Sequence, residues 1–235
     1  MSFDSPPSPS PRQPRRAFLG QLGLATAALT VSGGIVPVLA ETSAALPAQL
    51  PPSSDWDMTW VDKLAGAQYK VAFDTTVIDD GIALNHAATI LDEFHEVYGV
   101  TDPQVRVVLV MRQLGTALGF NDAMWEHYPI DDRNKNDSTK IPARRNPYWA
   151  SHPDRSPQEN SSQLEVLTKR GVIVLVCNVA LTNIARAMAR TTDKNADEVV
   201  AEFRKNLIPG ATLVPSGVFG MVRAQNAGCA YMRAS

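Results

Sequence analysis

Two thiols are the most nucleophilic side chains in this 235-residue chain, and their settings differ. Cys177 closes the run GVIVLVC and is followed at Asn178 by a segment with apolar residues at Val179, Leu181, Ile184, Ala185 and Met188. Five apolar residues after a glycine predict a buried strand, and the spacing beyond Asn178 predicts a helix. The thiol therefore falls in a strand-to-helix turn. In an open parallel sheet such turns lie at the carboxyl edge, where ligand and catalytic sites collect. A thiolate there can act as a nucleophile, and a helix amino terminus favours negative charge at that spot. The alternative is a small buried hydrophobe that ends a core strand. Cys229 opens the short apolar segment GCAYM and reads as core. One thiol ends its strand and the other begins its own, so parallel strands put them at opposite sheet edges, beyond disulfide reach.

Polar side chains near the same edge would form the rest of a site. Arg112 follows the apolar run VRVVLVM, and Asn121, Arg145, Asn178 and Ser216 are the other candidate ligand-binding residues. A guanidinium beside Cys177 would support the thiolate and could bind an anionic sulfur compound. Arg112 could equally form a salt bridge to the long insertion that follows. Other chemistries find little footing. His86, His95, His127 and His152 lack ligand spacing, and no strand is followed by a glycine-rich phosphate loop or a serine nucleophile elbow. No metal or cofactor is expected. Asp79 and Asp80, just before Gly81, read as helix capping.

These residues need elements to position them. Strands are predicted at residues 69–73, 105–111, 172–177, 211–214 and 228–232. Helices are predicted at 81–98, 117–128, 158–169, 178–190, 192–206 (with Asp193 a candidate cap) and 218–226. Strands alternating with helices give a three-layer α/β/α domain. Trp56 and Trp60, four residues apart, would share one helical face as an arm that packs on the domain, or as an aromatic ligand platform. Residues 129–158 hold five prolines and no periodicity. A connection that long is a lid, an oligomerisation arm or a disordered insertion, and the Arg144-Arg145-Asn146-Pro147-Tyr148-Trp149 run favours an ordered arm.

The amino terminus reads as an address. Arg15-Arg16, followed by Phe18-Leu19, a modest apolar stretch and Ala40, resembles a twin-arginine export signal over residues 1–40, with 41–67 as leader and packing arm. That implies passage through the twin-arginine translocase and a periplasmic or other extracytoplasmic location. The formal net charge is −2. Three arginines and one aspartate fall within residues 1–40, so the remainder is slightly more acidic. Nothing in this balance favours nucleic acid as a partner. No apolar run after the leader is long enough to span a bilayer.

The order of ALNHAATIL after the first strand, the LTKRGVIVLVC segment, the VPSG turn and Gln225-Asn226-Ala227-Gly228 before the last strand resembles the DsrE-like sulfur-relay family over residues 68–234. The resemblance implies a mostly parallel five-stranded sheet, homo-oligomers, and a persulfide-carrying cysteine, a role that falls on Cys177. Two functions follow as expectations. One is an exported protein that carries sulfane sulfur on Cys177 and meets a small sulfur compound or a sulfur-acceptor protein. The other is a non-catalytic oligomeric protein of the same fold that binds a small ligand. An exposed Cys177 in a polar pocket would favour the first, and an enclosed sulfur among apolar side chains the second.

Overall fold

The computed structural model describes residues 56–130 and 144–234. The expected export signal, most of the leader and residues 131–143 of the insertion lie outside the described residues. The five strands are β1 (Tyr69–Thr75), β2 (Val105–Met111), β3 (Ile173–Cys177), β4 (Ala211–Val214) and β5 (Ala230–Ala234). They pair in the order β4-β3-β2-β1-β5, and all four pairings are parallel. The central strands β1, β2 and β3 are almost wholly buried, while β5 is exposed along four of its five residues. Burial on both faces explains why the central strands read as near-continuous apolar runs instead of alternating ones.

Alternate side chains feed two cores. Phe73, Leu109, Met111, Val174 and Val176 enter the first, which is closed by α2 (Ile82–Tyr98), α3 (Asp122–His127), α5 (Leu164–Lys169), α6 (Asn178–Thr192) and α7 (Ala196–Lys205). Ala72, Val108, Val110, Ile173, Leu175 and Val214 enter the second, covered by α1 (Thr59–Asp62) and α8 (Gly217–Asn226). The connections that step from β1 to β4 carry their helices on the first face. The return from β4 to β5 crosses the whole sheet and carries α8 on the second. Opposite directions of travel put right-handed crossovers on opposite faces, so the strand order and the three layers have one cause.

Several boundaries differ from the sequence reading. Asp193 is not an amino-terminal cap; it takes a left-handed backbone (φ 52°) as the carboxyl-terminal cap of α6, and the Asn195 side chain accepts from the Asp197 and Glu198 N–H groups to start α7. The helix expected at 158–169 is two, α4 (Pro157–Ser161) and α5, because Ser162 and Gln163 leave helical geometry between them. Asp79 and Asp80 do not cap α2. Both have positive φ, no side chain caps that helix, and Gly81 (φ 78°) is the turn residue before it. Only Trp60 of the tryptophan pair lies in a helix. It is fully buried in the second core, whereas Trp56 precedes α1 and is half-buried.

The described part of the insertion is an ordered arm. Asn146 is buried, and its amide donates to the Leu118 and Phe120 carbonyls at 2.9 and 2.8 Å. Its Oδ1 accepts from the Tyr148 N–H, and its own N–H donates to Asp122 Oδ1. Four hydrogen bonds thus fasten one residue, and Tyr148 then packs its ring over Gly81. Asn146→Ala leaves two buried carbonyls unpaired and should lower the unfolding free energy in urea by about 3 kcal/mol. A change below about 0.5 kcal/mol, the range of a neutral surface substitution, would show that Asn146 does not hold the arm.

Cys229 sits in the second core just before β5, and both cysteines are free. Burial pushes the Cys229 thiol up to about 11 from an ordinary 9.0. Between these values the unfolded chain has lost a proton that the folded chain keeps, so stability falls as pH rises across that window. Cys229→Ala should flatten the decline between about pH 9 and about pH 11 in denaturation midpoints, relative to the unsubstituted protein. Parallel curves for the two proteins would contradict the assignment.

Candidate functional site

The most buried charge in the sheet is on β1. Asp74 follows five non-acidic strand residues, and its side chain is 5% exposed. A carboxylate there requires partners, and three donors converge on it. Arg112 gives Nε to Oδ1 at 2.5 Å and Nη2 to Oδ2 at 2.6 Å, and the Tyr231 hydroxyl donates to Oδ2 at 3.1 Å. Arg112 follows the last residue of β2, whose register partner is Thr75, and its N–H donates to the Thr75 carbonyl. Tyr231 lies on β5 opposite Ala72. The hydrogen bonds to Asp74 are the chief reason the guanidinium is held charged more firmly than usual; smaller contributions come from Tyr231 and Cys177. The same carboxylate raises the Tyr231 phenol, which stays a donor.

The stem of Arg112 is fixed from the other side by α8. A Cβ on Gly217 would lie 2.6 Å from Arg112 Cβ, so only glycine lets the first turn of α8 come this close. The two contacts leave the guanidinium little freedom. Neither of the two roles considered for Arg112 from the sequence named Asp74; the described arm is not its partner.

Cys177 ends β3 in register with Val214 of β4. Its sulfur accepts from the Ala180 N–H at 3.3 Å, so the thiol is itself the amino-terminal cap of α6. Ser216 does the same for α8, accepting from the Phe219 N–H. The two helices leave neighbouring strands toward opposite faces, α6 to the first core and α8 to the second. Adjacent strands whose connections diverge in this way open a crevice at the carboxyl edge, and a cleft of about 330 Å³ lies there. Arg112, Gln113, Asn183 and Ser216 supply its polar lining, and Cys177 lies in its wall. Leu114, Val179, Ala180, Ile184 and Val218 supply most of the rest. Val179 and Val218 are 53% and 64% exposed, so the rim is apolar. Cys177 retains 5% exposure. The sulfur is therefore neither open in a polar pocket nor sealed in the core; it borders a cleft whose walls are mainly apolar.

Of the six residues picked out from the sequence, Cys177, Arg112 and Ser216 come together. Asn121 does not join them: its Oδ1 accepts from the Met124 N–H to cap α3, and its amide donates to Asn206. Asn178 accepts from Arg204 Nε at 2.9 Å and ties α6 to α7. Arg145 is exposed beside the docked Asn146 and does not line the cleft. Polarity placed these three in the expected site, and a helix cap and a helix-to-helix bond account for Asn121 and Asn178. Asp74, Tyr231, Gly217 and the apolar rim were missed. Asp74 had a visible signal, an acid closing the otherwise uncharged stretch VAF within the strand; the others depend on packing across more than a hundred residues.

Elsewhere, His86 packs against Phe73 with ring centroids 6.0 Å apart and is not part of the cleft. A second cleft, of about 300 Å³, forms where the arm meets the start of α2, between Asp80, Gly81 and Asn85 on one side and Tyr148, Arg155 and Gln163 on the other. It contains no thiol.

No protein-family model and no curated protein matches the chain. Among solved structures, that of MTH1491 from Methanobacterium thermoautotrophicum, described as a protein of unknown function, is similar at 19% identity with a TM-score of 0.36, over 70% of this chain and 98% of that one.

Proposed function

We propose that this chain is an exported DsrE-like protein that carries sulfane sulfur on Cys177. The observation that carries the reading is the position of the Cys177 sulfur, which both caps α6 and borders a cleft at the point where α6 and α8 diverge. The ordered part of the insertion lies against α2 and α3, away from that cleft, so it is assigned a structural role and not that of a cover.

The chemistry needs no cofactor. The Cys177 thiolate attacks the outer sulfur of a donor; a new S–S bond forms, the donor's S–S bond breaks, and the departing sulfur takes the electron pair. The Ala180 N–H, already directed at Sγ, fixes where the attacking sulfur stands. An acceptor thiolate then takes the outer sulfur and returns Cys177 to its starting state. Cys229, kept protonated in the core, does not compete. In this reading the amino-terminal segment directs export by the twin-arginine route to the periplasm, the protein works as a homo-oligomer, and its partners are a small sulfur compound and a sulfur-acceptor protein.

The apolar walls and the low exposure of Cys177 favour a second reading, a non-catalytic oligomeric protein that holds a small ligand in the cleft without covalent chemistry. Intact-mass measurement after incubation with inorganic polysulfide, thiosulfate or dispersed elemental sulfur separates the two. Carriage predicts a gain of one or more sulfur atoms that vanishes in Cys177→Ser and persists in Cys229→Ser. No gain with any of the three donors would end the sulfur reading and leave the second.

A further inference from the structure

The electrostatics of the cleft say what kind of sulfur compound it would accept, an inference that rests on the reading of Cys177 above. Among the described residues that line the cleft, Arg112 alone is charged. That charge is already matched: Nε and Nη2 each hold one oxygen of Asp74, whose side chain lies 95% out of solvent behind the guanidinium. The pair is neutral at a distance, and both of Asp74's oxygens and two of the three guanidinium nitrogens are engaged. Gly217 packs on the Arg112 stem and hinders the side chain from swinging away to meet a ligand. Around the pair stand Leu114, Val179, Ile184 and Val218, three of them with exposed surface at the rim or beside it. An anionic sulfur compound would lose its hydration among these walls and find no free counter-charge, a cost that an uncharged compound escapes.

We propose that the Cys177 cleft selects uncharged sulfane sulfur, such as a sulfur ring or a neutral organic polysulfane, and discriminates against sulfur oxyanions. The step is a simple exchange. The thiolate of Cys177 bonds to one sulfur of the neutral compound, the adjacent S–S bond breaks, and the electron pair leaves with the departing sulfur as a thiolate. No outside oxidant or reductant enters. The product charge sits on the far end of the opened chain, which the open mouth of the cleft leaves in water.

Two aromatic disulfides that differ in charge test the selection directly: uncharged 4,4′-dithiodipyridine and dianionic 5,5′-dithiobis(2-nitrobenzoate). Each releases a chromophore on reaction with a thiol. Rates are measured on the full-length Cys229→Ala protein, so that the signal belongs to Cys177, and each is divided by the rate of the same disulfide with free cysteine. The normalised rate should favour the neutral probe by about tenfold or more, the scale on which local charge shifts encounter and reaction. Equal rates, a preference for the dianion, or no reaction with either probe would overturn the proposal. Asp74→Asn removes the matching charge and should lower the neutral-to-dianion ratio by about tenfold. Arg112→Gln uncovers the carboxylate and should raise the ratio, which keeps the test decisive if circular dichroism shows that Asp74→Asn does not fold. A ratio unmoved in whichever variants fold would overturn the masking of Arg112 by Asp74. The two readings fail separately. Selective reaction with the neutral probe in a protein that never gains sulfur would remove sulfur carriage and keep the selection, whereas sulfur gain with no charge preference would do the reverse.

Discussion

A carboxylate inside a parallel sheet is a constraint that other parts of the chain must meet. Asp74 stands at the buried end of β1, and an unpaired charge there would cost several kcal/mol. The three hydrogen bonds that satisfy it come from the residue after β2 and from β5. They join the first, second and last strands at one edge. Because Arg112 is held by Asp74 on one side and touched by the first turn of α8 on the other, the position of that helix is tied to the same pair. The floor of the cleft is thus built by residues distant in sequence and fixed by one ion pair.

The cleft itself has a topological origin. Three successive crossovers place their helices on one face, and the single return places α8 on the other. β3 and β4 are the neighbouring strands from which helices depart in opposite directions, and no backbone fills the space between those departures. Cys177 and Ser216 both stand there as amino-terminal caps, so their side-chain placement follows from helix initiation. A sulfur atom used as a cap is oriented before any ligand arrives.

The sequence carried the architecture further than it carried the site. Near-continuous apolar runs at VRVVLVM and VIVLV announced central parallel strands, and the glycines and the VPSG turn marked where they stop. Boundaries failed where a polar residue could serve two helices, as at Asp193, which ends one helix where it had been expected to begin the next. Cys177 and Ser216 were legible because each lies at its own strand end, so that local pattern fixes their location. Asp74 and Tyr231 are separated by 157 residues, and Gly217 matters only because Arg112 passes beside it. Contacts of that kind arise from packing across the sheet and leave no local period to read. Asn121 and Asn178 show the converse: polar residues after a strand resemble ligand groups until the structure shows what else occupies them.

The pairing of β1 with β5 also bears on how the chain reaches this state. The last strand of the sheet, β5, has the first strand of the fold, β1, as its neighbour. The hydrogen bond from Tyr231 to Asp74 likewise spans 157 residues. Contacts of such long sequence separation slow folding, so the pairing of β5 with β1 is the part of the sheet that is slowest to form.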